Sequence, residues 1–310
     1  MKLLFPDIKT IGEDLDLSCF EQFGEVVKYP FSTPEELRER SKDADVIIFN
    51  KVRIDEASVG EATHLKLVCV TGTGTNNIDK NYLAARNIAW RNVAGYSTES
   101  VAQHTFAMLF FLLGKLSFYD SYVKEDHYTN DTSFAHFSQQ FHELNGKTWG
   151  IIGLGNIGRR VADLAKVFGA NVIYTSPSGQ PPQEGYTQTD MDTLLCTSDI
   201  ISVHAPLNEY TENLIDKAAF DKMKDTCVFL NLGRGAIVVE EDLADALKNG
   251  SIAAAGLDVL PVEPMSEASP FREIKDSKRL LITPHIAWAS VESRTRLMQI
   301  ICGQVKEFFE

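Results

Sequence analysis

Three chargeable side chains follow predicted strands in the second half of the chain. Arg234 follows one strand, Glu263 lies in a proline-containing turn after the next, and His285 follows the last. Open α/β sheets bind ligands at the carboxyl ends of their strands, so these side chains are candidates for one crevice. Taken singly, each would be an ordinary packed or solvated residue, and only the joint pattern points to catalysis.

These residue types suit the reduction of a 2-oxo acid. An arginine can hold the substrate carboxylate with two hydrogen bonds, and a histidine can give the carbonyl oxygen its proton near neutral pH. A carboxylate beside the histidine would favour the protonated ring and fix its tautomer, a role open to Glu263. The sequence therefore predicts Arg234, Glu263 and His285 as catalytic residues and Arg234 and His285 as substrate contacts.

A glycine-rich loop precedes these residues and predicts a dinucleotide site. Gly153, Gly155 and Gly158 form G-x-G-x-x-G between a predicted strand at 149–152 and a helix at 157–168. The first glycine permits a tight turn, the second lets a diphosphate approach the backbone, and the third lets helix and strand pack closely. The alternative is a glycine-rich turn that binds nothing.

The second half of that nucleotide pattern is missing. An acidic residue usually ends the next strand and binds the ribose hydroxyls, but here the strand runs into Ser176, Pro177 and Ser178. A serine hydroxyl can bind ribose without repelling a 2′-phosphate. We therefore expect NAD as cofactor, with NADP use possible.

Composition excludes several classes of protein. The chain has 310 residues and a net charge of −13, whereas nucleic-acid-binding and anionic-lipid-binding surfaces are basic. No uncharged apolar run reaches the ~18 residues of a membrane span. The five cysteines are scattered without C-x-x-C, which favours reduced thiols and a cytoplasmic location. His residues show no metal-ligand spacing, so no metal site is expected.

Short apolar strands alternate with helices over two stretches, which is typical of α/β domains with parallel sheets. We expect a substrate domain at 1–96 plus 289–310 and a dinucleotide-binding domain at 97–288. Helices are predicted at 13–23, 98–124 and 291–309, the middle one long and mostly apolar. His104, on that long helix, is expected to be a buried histidine with its ring hydrogen-bonded.

Five ordered motifs resemble the D-isomer-specific 2-hydroxyacid dehydrogenase family over nearly the whole chain. They lie at 153–158, 198–207, 231–235, 256–264 and 283–285. Residues 92–104, 147–150 and 287–290 look most like the glycerate dehydrogenase, or hydroxypyruvate reductase, branch. The resemblance implies two Rossmann-like domains with parallel sheets.

The resemblance also implies residue roles. Arg234 would bind the substrate, Glu263 would be the acidic partner, and His285 the acid/base. The implied cofactor contacts, together with the glycine loop, are Asn156, Ile157, Ser176, His204, Ala205, Pro206, Leu232, Gly233, Asp258, Ala287 and Trp288. Further substrate contacts are Asn50, Lys51, Thr73 and Gly74.

The implied reaction is reversible reduction of hydroxypyruvate or glyoxylate to the D-2-hydroxy acid with NAD(P)H, in a homodimer built on the long helix. Another 2-oxo acid reductase, such as a D-lactate dehydrogenase, is an alternative. Formate dehydrogenases pair the histidine with glutamine, so Glu263 argues against that activity. A corepressor-like module that senses cofactor is the alternative from another class of protein.

Overall fold

The computed structural model describes all 310 residues, and the chain divides into two compact units. One comprises Met1–Ser97 and Trp288–Glu310, and the other is Thr98–Ala287. The strands are β1 (Lys2–Phe5), β2 (Glu25–Lys28), β3 (Val46–Phe49), β4 (Leu67–Val70), β5 (Ala89–Arg91), β6 (Thr148–Ile152), β7 (Asn171–Thr175), β8 (Thr187–Gln188), β9 (Ile200–Val203), β10 (Val228–Asn231), β11 (Ala254–Leu257) and β12 (Leu280–Ile282). The α-helices are α1 (Pro34–Arg40), α2 (Glu56–Val59), α3 (Lys80–Ala85), α4 (Thr98–Leu113), α5 (Leu116–Lys124), α6 (Asn156–Val167), α7 (Met191–Thr197), α8 (Lys217–Lys222), α9 (Glu240–Asn249) and α10 (Val291–Phe309).

The first unit is built on a five-stranded parallel sheet in the order β2-β1-β3-β4-β5. Every residue of β3 and β4 is buried, as expected where helices cover both faces of a parallel sheet. The C-terminal helix α10 returns to this unit and packs Leu297, Ile301 and Val305 into its core.

The second unit is built on a seven-stranded parallel sheet in the order β12-β11-β10-β9-β6-β7-β8. Because all its strands run in one direction, the loops that follow β6, β9, β10, β11 and β12 emerge at one edge. Those loops carry the predicted chemistry. Two parallel-sheet α/β units confirm the expected fold class.

The prediction of one long helix at 98–124 is wrong in one respect. The segment forms two helices, α4 and α5, whose axes are bent by 60°. The break falls at Gly114 and Lys115, and Lys115 has a left-handed φ of 54°. The helix predicted at 13–23 is only a 3₁₀ helix at Ser18–Phe23. The Asp16 carboxylate accepts from the Ser18 N–H at 2.9 Å, a local bond that competes with helix formation. The two-residue strand β8 was not predicted.

By length and apolar content, no individual helix of the chain could cross a membrane. Only the bent pair α4 and α5 taken together meets that criterion.

Candidate active site

His285 lies in a tight turn after β12 and contacts Glu263. Its Nδ1 is 2.7 Å from Oε2 of Glu263, the pairing that the sequence suggested. The second glutamate oxygen, Oε1, accepts from the Leu260 N–H at 3.0 Å, which fixes the carboxylate. An ionised carboxylate accepts only, so Nδ1 carries a proton and Nε2 is the nitrogen that Glu263 does not contact.

The backbone at His285 has a φ of 54°, in the left-handed region that non-glycine residues rarely adopt. Such a conformation persists only where the surroundings impose it. The His285 N–H donates to the Asp258 carbonyl at 2.8 Å, which supplies part of that restraint.

Asp258, which directly follows β11, supplies the rest of the restraint. Its carboxylate is 2% exposed and accepts from the Thr283 hydroxyl at 2.6 Å and from the N–H groups of Ile286 and Ala287 at 2.9 Å. The carboxylate thus ties together both ends of the turn that carries His285. Sequence reasoning missed this role, although the hydroxyl of Thr283 two residues before His285 was a signal. The predicted contact of Asp258 with the cofactor stays a prediction.

Arg234 lies in the turn at 231–235, which the Asn231 amide holds. Oδ1 of Asn231 accepts from the Gly233 N–H at 3.1 Å, and Nδ2 of Asn231 donates to the Arg234 carbonyl at 3.0 Å. The guanidinium donates to the Gly233 carbonyl at 2.8 Å. A Cβ on Gly235 would collide with the Leu260 carbonyl, so this turn packs against the segment that leads to Glu263.

The glycine loop is shaped as a dinucleotide requires. Gly153 has a φ of 93°, and a Cβ there would lie 2.8 Å from the Ala205 backbone. A Cβ on Gly158 would collide with the Gly153 carbonyl, whereas one on Gly155 would meet nothing within 4 Å. Gly155 therefore faces open space at the start of α6, where Asn156 and Ile157 carry N–H groups that suit an anion.

A cavity of about 300 Å³ opens beside this loop. Its lining includes Ser176, Ala205 and Pro206 from the predicted cofactor set and contains no carboxylate. Arg159 also lines it, bonded to Asn156 Oδ1 at 2.6 Å and Gln183 Oε1 at 3.1 Å. The open space at Gly155 and the absence of a carboxylate suit the ribose side of a dinucleotide.

His204, at the end of β9, has a buried ring nitrogen without a partner. The Trp149 indole N–H donates to the Ser202 hydroxyl at 2.9 Å, and that oxygen lies 3.1 Å from His204 Nε2. Burial lowers the pKa of His204 to about 3, so the ring is neutral. Nδ1 is the unpartnered atom, a polar group available to a bound cofactor.

Four predicted substrate contacts lie in the first unit. Asn50 and Lys51 follow β3, and their N–H groups, with that of Val52, donate to the buried Asp7 carboxylate at 2.6–3.1 Å. Burial raises the pKa of Asp7 above its usual value. Thr73 is exposed next to Gly74, and its hydroxyl donates to the Val93 carbonyl at 2.8 Å.

The remaining predicted cofactor contacts fall in different surroundings. Leu232, Gly233 and Ala287 are buried in the second unit. Trp288 belongs to the first unit, where its ring packs edge-on against Tyr96 with centroids 6.3 Å apart. The structure thus brings His285, Glu263 and Asp258 together and seats the Arg234 turn against the Glu263 segment, while Asn50, Lys51, Thr73, Gly74 and Trp288 lie in the other unit.

Residues 106–287 match the family model described as D-isomer specific 2-hydroxyacid dehydrogenase, NAD binding domain. A hydroxypyruvate reductase from Blautia hydrogenotrophica is 34% identical over 96% of this chain and 93% of its own. A glycerate dehydrogenase from Methylorubrum extorquens is 34% identical over 90% of this chain and 85% of its own. The structure of a D-lactate dehydrogenase from Aquifex aeolicus, complexed with NAD and lactic acid, has a TM-score of 0.85 and 27% identity, and the match covers 100% of this chain and 95% of that one.

Proposed function

The chain belongs to the D-isomer specific 2-hydroxyacid dehydrogenase family, and we propose that it reversibly reduces a small 2-oxo acid, hydroxypyruvate or glyoxylate first, to the D-2-hydroxy acid. The observation that carries this proposal is the 2.7 Å contact between His285 and Glu263, on a restrained turn after the last strand of the NAD-binding domain. A module that only sensed cofactor would have no use for a proton donor held in this way.

Arg234 binds the substrate carboxylate in this proposal. Its guanidinium is planar and always charged, and it matches a carboxylate with two parallel N–H groups. The Asn231 amide holds the backbone of the turn, and the guanidinium itself already donates to the Gly233 carbonyl, so less side-chain freedom is lost when it binds. The substrate contacts predicted in the first unit, Asn50, Lys51, Thr73 and Gly74, stay predictions.

His285 gives its Nε2 proton to the carbonyl oxygen of the 2-oxo acid during reduction and takes it back during oxidation. The Glu263 carboxylate at Nδ1 stabilises the positive charge on the ring and keeps Nε2 directed toward the substrate. The restrained backbone of residues 283–287 keeps the donor in one orientation.

A nicotinamide dinucleotide supplies a hydride to the carbonyl carbon when bound. The N–H groups of Asn156 and Ile157 would hold its diphosphate at the positive end of α6, and the Ser176 hydroxyl would form a hydrogen bond with the ribose. Ala205, Pro206 and His204 line the adenosine side. Leu232, Gly233, Asp258 and Ala287 would serve the nicotinamide end, and the contact predicted for Trp288, which belongs to the first unit, stays a prediction.

The cavity beside Ser176 bears on the choice between NADH and NADPH. With no carboxylate in its lining and Arg159 present, it does not repel a 2′-phosphate. We propose that NADH is used and NADPH accepted. Comparing kcat/KM for the two cofactors in wild type and Arg159→Gln tests this, because the substitution should lower only the value for NADPH.

The reaction is tested by nicotinamide absorbance with hydroxypyruvate, glyoxylate, pyruvate and longer 2-oxo acids. We expect His285→Gln to lower kcat by about 10²- to 10⁴-fold and Arg234→Ala to lower kcat/KM by about 10²-fold or more. His64→Gln and Arg38→Ala, at exposed sites, are matched controls. Near wild-type rates for either active-site variant would remove the mechanism.

We also propose a homodimer built on α4, α5 and the segment at 125–146. Phe134, Phe137 and Phe141 in that segment are 90%, 80% and 62% exposed, and α5 has no buried residue. Large apolar side chains exposed together are typical of a protein interface. Light scattering should give twice the chain mass, and Phe137→Ser should lower it while Phe31→Ser, also exposed, should not.

A cytoplasmic location is part of the proposal, since all five cysteines are free thiols and disulfides are rare in that compartment. Burial raises the pKa of Cys69 and Cys227 to about 12, which keeps both thiols protonated. The acidic net charge supports a small-molecule substrate rather than a nucleic-acid partner.

A further inference from the structure

We propose that His104 is a positioning residue for His285 and acts through Thr283 and Asp258 to hold the turn that carries the catalytic ring. This inference rests on the proposed function, in which His285 is the proton donor. His104 itself lies on α4 and is assigned no contact with substrate or cofactor.

The direction of each hydrogen bond follows from its partners. Oγ1 of Thr283 lies 2.6 Å from Oδ1 of Asp258, and an ionised carboxylate can only accept, so the threonine hydroxyl donates. Oγ1 also lies 3.0 Å from Nε2 of His104. Since its only proton is committed to Asp258, this oxygen must accept, and Nε2 of His104 must carry a hydrogen. The chain of donation therefore runs from His104 through Thr283 to Asp258.

The end of this chain is the turn itself. The two carboxylate oxygens of Asp258 accept from the N–H groups of Ile286 and Ala287, which flank the left-handed residue His285 on its C-terminal side. Rotation of the carboxylate would break both bonds. The hydroxyl of Thr283 prevents that rotation, and His104 in turn fixes the rotamer of Thr283.

His104 is well placed for this task. It projects from the 16-residue helix α4, a more rigid support than the turn it touches. Its side chain is 21% exposed, and Nε2 is also 3.7 Å from Asp258 Oδ1. The nearest alternative is that His104 only fills space, and a substitution that keeps shape without the donor separates the two.

The first measurement is amide hydrogen exchange on the free protein, which needs neither substrate nor cofactor. His104→Phe keeps a ring but removes the donor, and His104→Gln restores an N–H at the position of Nε2. We expect exchange at Ile286 and Ala287 to rise about 10-fold or more in His104→Phe, as for one lost hydrogen bond, and to stay near wild type in His104→Gln.

The second measurement is kinetics. His104→Phe and Thr283→Val should each lower kcat by about 10- to 100-fold with a much smaller change in cofactor KM, because the donor is misplaced and the nucleotide loop is untouched. The double variant should lose little more kcat than either single variant, because both substitutions break the same series of hydrogen bonds. Thr105→Val is the matched control, because its buried hydroxyl donates only to Val101 within α4.

Wild-type exchange at Ile286 and Ala287 in His104→Phe would overturn the inference, as would a loss in His104→Gln equal to that in His104→Phe. Additive losses in the double variant would also contradict it. If wild-type protein reduced no 2-oxo acid, the proposed function would fail, while the exchange experiment would still decide whether His104 holds the turn.

Discussion

In each of the two units, a buried aspartate fixes the loop that carries proposed site residues. In the first, Asp7 follows β1 and its buried carboxylate accepts three N–H groups from the loop after the neighbouring strand β3. In the second, Asp258 follows β11 and its buried carboxylate accepts from the loop after the neighbouring strand β12. Each aspartate fixes a loop that begins where an adjacent parallel strand ends.

The donors differ between the two loops. Asp7 accepts only backbone N–H groups, and the loop is held from its other side by the Asn77 amide, which donates to the carbonyls of Asn50 and Val52 at 2.9 Å. Asp258 also accepts from the hydroxyl of Thr283, and that hydroxyl in turn accepts from His104. The difference indicates that the first loop needs a fixed backbone, whereas the second must hold one side chain, His285, in a conformation that it would not otherwise adopt.

Among the substitutions that compare the two loops, Asp258→Ala is expected to give the largest effect. The Thr283 hydroxyl and two N–H groups lose their acceptor, and buried unpaired donors cost about 1–3 kcal/mol each. We expect kcat to fall about 100-fold and the free energy of unfolding to fall by roughly 3 kcal/mol or more. Steady-state kinetics and urea unfolding measure these, and Asp225→Ala, at an exposed loop position, is the control.

A kcat within a few-fold of wild type in Asp258→Ala would show that the turn keeps its shape without the carboxylate. The contrast with the first unit would then lose its basis.

Asp7→Ala should act on substrate binding instead. The N–H groups of Asn50, Lys51 and Val52 lose their acceptor, so the loop becomes mobile and the KM for the 2-oxo acid should rise about 10-fold with kcat less affected. Asp7→Asn, which retains one acceptor oxygen, should fall between wild type and Asp7→Ala. Equal losses of kcat from Asp7→Ala and Asp258→Ala would erase the distinction between the loops.

Asn77→Asp should have a smaller effect on the same loop. The substitution keeps the shape of the side chain but places a carboxylate oxygen against the carbonyls of Asn50 and Val52, in place of a donor. We expect about 1–2 kcal/mol of lost stability and faster amide exchange at Lys51 and Val52, with exchange at Ile286 and Ala287 unchanged. Exchange that rose equally at both loops would indicate a global effect.

The sequence predicts the strands well because parallel strands buried on both faces are short uninterrupted apolar runs, as Val46–Phe49 shows. It also predicts the glycine loop, because Gly153, Gly155 and Gly158 each meet a steric requirement, set by the tight turn, by the approach of a diphosphate or by the packing of helix on strand. The break at Lys115 was missed because the apolar pattern continues through it.

The hydrogen bonds by which Asp7 and Asp258 fix their loops could not be predicted, because the partners are distant in the chain. Asp7 lies 43 residues from Asn50, and His104 lies 179 residues from Thr283. Residue type marks a hydrogen-bonding group, but only the sheet order decides which loop it meets.

The smallest expected effect concerns the sign of a pH dependence. Burial raises the pKa of Asp7 in the folded state, so the folded protein binds this proton more tightly than the unfolded chain does. The contribution of Asp7 to stability is therefore complete below pH 3.8 and declines as the pH rises through the raised folded pKa. The free energy of unfolding lost in Asp7→Ala should accordingly be larger at pH 4 than at pH 8.

Asp14 supplies a control of opposite sign, because its hydrogen bond to Arg294 lowers its pKa. The contribution of Asp14 to stability is therefore present above pH 3.8 and is lost only at lower pH. If urea unfolding from pH 4 to 8 gave a cost for Asp7→Ala that grew with pH, the carboxylate would be better stabilised by its three N–H donors than its burial allows, and Asp7 would resemble an exposed paired acid such as Asp14.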